Sequence, residues 1–193
     1  REFVEDIGRE AQRLSRITED LLRLTRLDSD LLDAPETVEV APVLEQVMRM
    51  MSLLAQEKGT ELTYRMEENC RVSATKGEVH QVIYNLTDNA VKYSGKNGKV
   101  RVELRHENHD VVLTVADNGP GIPEEDLPKV FERFYRVDKA RSREVGGTGL
   151  GLSIVSDTVR RRGGTVSVAH RPAGQGTLFT VRLPQVTEEG GSA

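Results

Sequence analysis

Tryptophan is absent from this chain of 193 residues, cysteine occurs once, and phenylalanine and tyrosine occur four times each. The lone Cys70 excludes an intrachain disulfide and a cysteine-built zinc cluster, and it suits a reducing compartment. No apolar run approaches the roughly 20 residues that span a bilayer. No basic-then-apolar leader marks a secretory signal. A basic excess is also missing: 27 Lys and Arg face 31 Asp and Glu, for a net charge of −4. That balance argues against a nucleic-acid partner held by bulk charge. What remains, 37% hydrophobic and 30% charged residues, is the composition of a globular domain large enough for a core and an appendage. The pattern begins in mid-helix at Arg1, without Met, so the chain is expected to be a piece of a longer protein. Its lack of a spanning segment then says nothing about the parent.

Residues 1–32 read as one long helix. Leu14, Ile17, Leu21, Leu24 and Leu31 recur at spacings of three and four, with a gap at Asp28, among Arg, Glu and Asp. Such a stripe needs an apolar partner, either this chain's own domain or a second helix; we expect the second. Ala34-Pro35 ends the helix. From about residue 37 the pattern is mixed α and β. Val38–Val40 reads as a strand. A helix runs from Pro42 to about Lys58, with Val43, Val47, Met50, Met51 and Leu54 as its apolar face, and Gly59 stops it. Glu61–Met66 and Arg71–Ala74 read as short strands and 77–93 as a second helix. Lys99–His106 and Val111–Asp117 alternate like paired strands around a polar turn. Residues 118–147 show no sustained period and are long for a plain loop, which points to function or mobility. A helix over 150–162 ends at Gly163-Gly164. Strands at 165–169 and 177–183 follow, and 188–193 reads as a frayed tail. The boundaries are therefore 1–34 for the helical appendage, 35–187 for the domain and 188–193 for the tail.

Four segments carry chemistry. In Asn85–Tyr93 (NLTDNAVKY), Asn85 and Asn89 lie four apart on one helix face, with Lys92 and Tyr93 a turn later. Asparagine disfavours helix interiors and wants hydrogen-bond partners, and its carbonyl is a suitable hard ligand for Mg²⁺. In Asp117–Gly121 (DNGPG), a strand ends on an acceptor-only carboxylate. Gly119 and Gly121 allow the turn and a close approach to the backbone. In Phe131–Asp138 (FERFYRVD), Phe131, Phe134 and Tyr135 gather three of the few aromatics beside Arg133 and Arg136. With Lys139, Arg141 and Arg143 this makes a basic, aromatic-anchored loop suited to cover phosphates. In Gly146–Gly151 (GGTGLG), Gly147, Thr148, Gly149, Leu150 and Gly151 lead into a helix whose N-terminus favours anions. This is neither a P-loop, since no Gly-Lys-Ser/Thr follows, nor a Rossmann fingerprint, since a long loop precedes it. Each segment alone also has a plain reading: a capped polar helix face, an Asp-Asn-Gly turn, a solvated basic loop.

All four in this order resemble the ATP site of the sensor histidine kinases. These belong to the Bergerat-fold superfamily, which also holds DNA gyrase and a heat-shock chaperone ATPase. The resemblance covers about 37–184. It implies an α+β, two-layer α/β sandwich: a mixed, mostly antiparallel sheet with three main helices on one face, preceded here by one long helix. It implies ATP and Mg²⁺, with Asn89 on the metal and Asn85 beside it. Lys92 would meet a phosphate, and Tyr93 the base or ribose. Asp117 would take the adenine amine with Gly119 and Gly121 around it, and Thr177 would support Asp117. Phe134 would lie in the lid and Arg136 near the terminal phosphate, and Gly147, Thr148, Gly149, Leu150 and Gly151 would follow the phosphates. Asn85, Lys92 and Arg136 are the expected catalytic residues.

The position of Asn85 divides the superfamily. Gyrase-like and chaperone-like ATPases, and the anti-sigma-factor serine kinases, resemble one another in carrying Glu there, a base for water. An amide cannot take that proton, so the histidine-kinase branch is favoured and hydrolysis should be poor. Residues 1–34 resemble the second helix of the dimerisation and phosphoacceptor hairpin. Thr75 stands where many relatives have Asp. None of His80, His106, His109 and His170 sits in an acceptor context, so the acceptor helix is expected upstream of Arg1. The resemblance then implies a fragment that binds Mg-ATP without phosphorylating itself. Its parent would be a homodimeric membrane sensor with this part in the cytoplasm, and it would work with a response regulator receiver domain and no nucleic acid. A serine kinase of the anti-sigma class and a non-catalytic nucleotide-binding module are the alternatives.

Overall fold

The computed structural model describes residues 8, 11, 15, 18, 34–95, 97–137, 148–172 and 174–187. Gly8, Ala11, Ser15 and Thr18 are helical and exposed. The leucine stripe expected over 1–32 and most of the basic loop after Val137 lie outside the described residues.

Seven strands and three α-helices follow: β1 (Glu36–Glu39), α1 (Val40–Glu57), β2 (Glu61–Met66), β3 (Arg71–Ala74), α2 (Lys76–Tyr93), β4 (Lys99–Glu107), β5 (Asp110–Asp117), α3 (Gly151–Arg161), β6 (Thr165–His170) and β7 (Thr177–Pro184), with a 3₁₀ turn at Leu127–Lys129. The main sheet has five strands in the order β2-β4-β5-β7-β6. Only β2 and β4 are parallel; the other pairs are antiparallel. The sheet is therefore mixed and mostly antiparallel, as expected. The period-2 alternation of β4, β5 and β7 explains its two faces. Val102, Val115, Phe179 and Val168 form one inward row across four strands, and Leu104, Leu113, Val181 and Val166 form the next. Helix α2 lies between α1 and α3, and all three cover this inward face. Among the described residues no helix is long and apolar enough to cross a membrane.

Two sequence expectations need correction. The first strand is Glu36–Glu39, not Val38–Val40, because Val40 already opens α1 while its N–H reaches back to the Cys70 carbonyl at 2.8 Å. Strand β1 pairs with β3 in a small second sheet that the pattern did not reveal. In α1, Val43, Val47 and Met51 are buried, but so are Leu44 and Met48, whereas Met50 is 40% and Leu54 38% exposed. The run Val47–Leu54 is apolar on nearly every side, so its period cannot choose the inward face.

Helix α2 starts at a capping box. The Thr75 hydroxyl accepts from the Glu78 N–H (3.2 Å), and the Glu78 carboxylate accepts from the Thr75 N–H (2.8 Å). Thr75 thus fills the N-cap role that an Asp also fills, which accounts for its being tolerated there. The same carboxylate receives Arg162 from the C-terminal end of α3 in a forked pair, Nε at 3.0 Å and Nη2 at 2.8 Å, with both side chains about nine-tenths buried. One acid therefore starts α2 and ties it to α3.

Two outcomes follow. Arg162→Ala leaves Glu78 with its cap but without its buried counter-ion, and should destabilise the domain by about 3 kcal/mol. A fall in the urea midpoint with unchanged slope would register this; a midpoint equal to wild type would show the pair to be dispensable. Cys70 is fully buried, and burial, with Glu67 and Glu39 nearby, pushes its thiol up to about 11. It should resist thiol reagents at neutral pH until the domain unfolds, so labelling should track the unfolding transition monitored by circular dichroism.

Candidate functional site

The site lies where the end of α2, the end of β5, the start of β7 and the start of α3 meet. Asn85 projects from α2 and its Nδ2 donates to the Gly151 carbonyl at 3.2 Å, across 66 residues of sequence. A β-carbon on Gly151 would lie in ordinary contact with Asn85, 3.5 Å from its Cγ. Asn85 thus holds the α2 face against the first turn of α3. Asn89 and Tyr93 are partly buried on the same helix. Lys92, expected to wait for a phosphate, is instead paired with Asp88 one turn back. Asp88 was missed by sequence reasoning; its i,i+4 spacing to Lys92 was the available signal.

Asp117 is the floor. It ends β5 opposite Val100, at the edge of the apolar rows, and is only 4% exposed. Its Oδ1 accepts from the Gly119 N–H at 2.8 Å and from the Thr177 N–H at 3.4 Å. Burial raises its pKa, opposed by those N–H bonds, the Thr177 hydroxyl and the charge of Arg171. The structure therefore brings Thr177 to Asp117 through its backbone as well as its side chain. Gly119 is required by contact: a β-carbon there would collide with the Tyr93 carbonyl oxygen at the end of α2. Gly121, with φ 79°, turns the chain past His170 and Gly176.

The loop beyond is anchored rather than free over the described residues. Phe131 meets Phe179 edge-on at 6.3 Å. The Tyr135 hydroxyl donates to Asp126 at 2.5 Å, a bond that pushes its pKa up to about 12. Arg133 pairs with Asp157 of α3 at 3.2 Å. Phe134 takes φ 64°, unusual for a bulky residue. It does so while donating its N–H to the Gly149 carbonyl at 2.9 Å, and its ring is 58% exposed. Gly149 itself sits at φ 75°, and a β-carbon there would lie 3.1 Å from the Phe134 backbone. The basic loop and the glycine segment are thus tied together. Two buried nitrogens of Arg136, Nε and Nη2, have no hydrogen-bond partner among the described residues. A buried guanidinium without an acceptor is costly, and an anion would relieve it.

The glycine segment delivers α3 with an uncapped start. Leu150 occupies the N-cap position, no side chain caps the helix, and its first turn holds no acid. Its free N–H groups and dipole suit an anion. The Thr148 hydroxyl accepts from the Leu150 N–H at 3.3 Å. Leu150 was expected at the ligand, but its side chain is fully buried, so only its backbone is available there. Gly147 lies outside the described residues.

No group of three or more His, Cys, Asp or Glu among the described residues is arranged to hold a metal. Mg²⁺ still fits the asparagine face, because it keeps several waters and needs few protein oxygens when phosphates supply the rest.

A family model described as "Histidine kinase-, DNA gyrase B-, and HSP90-like ATPase" matches residues 74–187. The sensor histidine kinase WalK of Bacillus subtilis (strain 168) is 34% identical over 183 residues, which cover 93% of this chain and 30% of WalK. The chain thus spans under a third of that curated relative. Among solved structures, a mycobacterial sensor histidine kinase, MprB, shares 29% identity with a TM-score of 0.68, covering 78% of this chain and 97% of its own. Full-length ShkA, solved in complex with AMPPNP, shares 30% identity with a TM-score of 0.79, covering 97% of this chain and 39% of its own.

Asp117→Asn separates stability from binding. The raised pKa means that the folded domain bears the cost of a buried charge above that titration and sheds it on acidification. At neutral pH the variant should melt at an equal or higher temperature. Adenine-nucleotide affinity should nevertheless fall by more than tenfold, from the loss of roughly 1.5–3 kcal/mol of charge-assisted hydrogen bonding. In wild type, affinity should decline on acidification with a midpoint above the ordinary aspartate value of 3.8. Calorimetry showing equal ATP and GTP binding by wild type would rule out Asp117 as the base selector.

Proposed function

Because this chain belongs to the family of histidine kinase-, DNA gyrase B- and HSP90-like ATPases, we propose that it is the catalytic part of a two-component sensor kinase. In this reading it binds Mg-ATP and passes the γ-phosphoryl group to a histidine outside residues 1–193. Family membership implies the ATP site. The transfer, the metal and the partners are our reading. The observation that supports it is that α2 touches both ends of the site: its Tyr93 carbonyl packs against Gly119 beside the buried Asp117 carboxylate, and its Asn85 bonds Gly151 at the uncapped start of α3.

Each residue then has a task. Asp117, fixed by the Gly119 and Thr177 N–H groups, accepts the adenine amine. Gly119 and Gly121 keep the turn clear for the base, and Tyr93 lies against base or ribose. Asn89, with Asn85 beside it, holds Mg²⁺, which when bound neutralises phosphate charge. The first turn of α3 and the 147–149 backbone receive phosphate oxygens. Lys92 and Arg136 meet the phosphates, Arg136 by filling its unpaired donors at the terminal one. In this reading Asn85, an amide, supplies no base for water. Slow hydrolysis and transfer to a separate acceptor follow from that.

In this reading none of the chain's own histidines is the acceptor. His80 stacks on Tyr84 at 6.3 Å, and His106 Nε2 lies 2.8 Å from the Glu68 carbonyl. His109 sits in the β4–β5 turn and His170 ends β6. We therefore assign residues 1–34 to the second helix of a dimerisation and acceptor hairpin, 35–187 to the catalytic domain and 188–193 to a tail. The acceptor helix would precede Arg1. The parent would dimerise through that hairpin, sit at a membrane with this part in the cytoplasm, and hand the phosphoryl group to a receiver domain.

Labelled ATP given to this chain alone should yield no histidine phosphate. Adding the parent's acceptor hairpin should yield label that is acid-labile and base-stable. Asn89→Ala should abolish that transfer while leaving the circular dichroism spectrum and melting temperature near wild type. Acid-stable label on serine would instead assign the chain to the serine kinases, and robust acid-labile label on the chain alone would place an acceptor inside it.

A further inference from the structure

Asp88 has no task in the proposed chemistry, yet it pairs with Lys92, which has one. Positions 85, 88, 89 and 92 fall within an arc of about 100° on α2, since each residue advances the helix by about 100°. Asn85 fixes where that arc points, through its bond to Gly151. The side chains of Asp88 and Lys92 are 19% and 18% exposed, well below the 68% and 45% of another i,i+4 pair, Arg49–Glu45. An exposed pair of this kind adds only a few tenths of a kcal/mol to a helix. One placed in a partly buried anion site has a larger effect on what binds there, because its charges are less screened.

We propose that Asp88 is a positioning and selectivity residue that makes nucleotide binding depend on a divalent cation. This rests on the nucleotide reading above. Before nucleotide arrives Asp88 neutralises Lys92, so the asparagine face offers no net charge to a polyphosphate. A metal-free triphosphate would have to draw Lys92 away and then face the uncovered carboxylate of Asp88. A metal-bound triphosphate brings its own positive charge to that carboxylate and frees Lys92 at little cost. Asp88 therefore discriminates against metal-free nucleotide by repulsion, while Lys92 supplies attraction only once the metal has arrived. Discrimination of this kind needs an opposing element as well as a favourable one.

The test uses a β,γ-imido analogue of ATP, which is not consumed, and the chain as it stands. Its affinity is measured by calorimetry in excess Mg²⁺ and again in EDTA, for wild type, Asp88→Asn and Asp88→Ser. Removing one partly buried negative charge should tighten metal-free binding by about tenfold and change metal-bound binding by much less. The ratio of the two dissociation constants should thus shrink about tenfold in both variants. It should shrink less at high salt, where the charge is screened. Melting temperature serves as the structural control. If the pair only stabilises the helix, both variants melt slightly lower and the ratio stays at the wild-type value, which overturns the inference alone. If wild type binds the analogue in neither condition, the nucleotide reading falls and takes this inference with it.

Discussion

A carboxylate buried at the end of a central strand constrains everything around it. Asp117 continues the inward row of β5, so its position is set by the alternation that buries Val111, Leu113 and Val115. A charge there is tolerable only with donors aimed at it. Those donors come from the chain reversing at Gly119 and from the first residue of β7. The reversal is so tight that the end of α2 touches residue 119, which fixes the asparagine face relative to the carboxylate. Satisfying one buried group thereby sets the distance between the two ends of the site.

The second dependence runs between α2 and α3. Asn85 meets Gly151 at the head of α3, and Glu78 meets Arg162 at its foot. With contacts at both ends, the two helices cannot slide relative to each other without breaking a polar bond in a mostly apolar layer. The anion-binding start of α3 is therefore registered to the asparagine face by bonds outside the phosphate site itself. The Arg133–Asp157 pair extends the same registration to the loop.

Much of this was legible in the sequence because it rests on local periodicity and on residues with few alternative uses. The alternation in β4, β5 and β7 gave their faces, and the two asparagines on one helix face and the Asp-Asn-Gly turn marked a site. What was not legible depends on choices that local pattern leaves open. Helix α1 is apolar on almost all sides, so Met50 and Leu54 turned outward and Leu44 and Met48 inward. The pairing of β1 with β3 joins segments about 35 residues apart and leaves no short-range mark. Lys92 was expected at a phosphate, and its pairing with Asp88 one turn back went unread. The positive φ of Phe134 goes with its N–H bond to the Gly149 carbonyl, a contact that no periodicity encodes.

The order of strands has a consequence for how the molecule is made. Strand β5 is paired on one side by its neighbour in sequence, β4, but on the other by β7, with Asp110 opposite Pro184. During synthesis the β4–β5 hairpin is complete while β7 is still unmade, and one edge of its apolar face waits open. Non-local closure of this kind is slow and exposes the chain to mispairing. The Thr177 N–H that helps hold Asp117 belongs to the last tenth of the chain. Nascent chains stopped before β7 thus carry an uncovered strand edge and an incompletely satisfied carboxylate. The Asp117 pocket is complete only once β7 has been made, so a chain stopped before residue 177 has no finished site to offer.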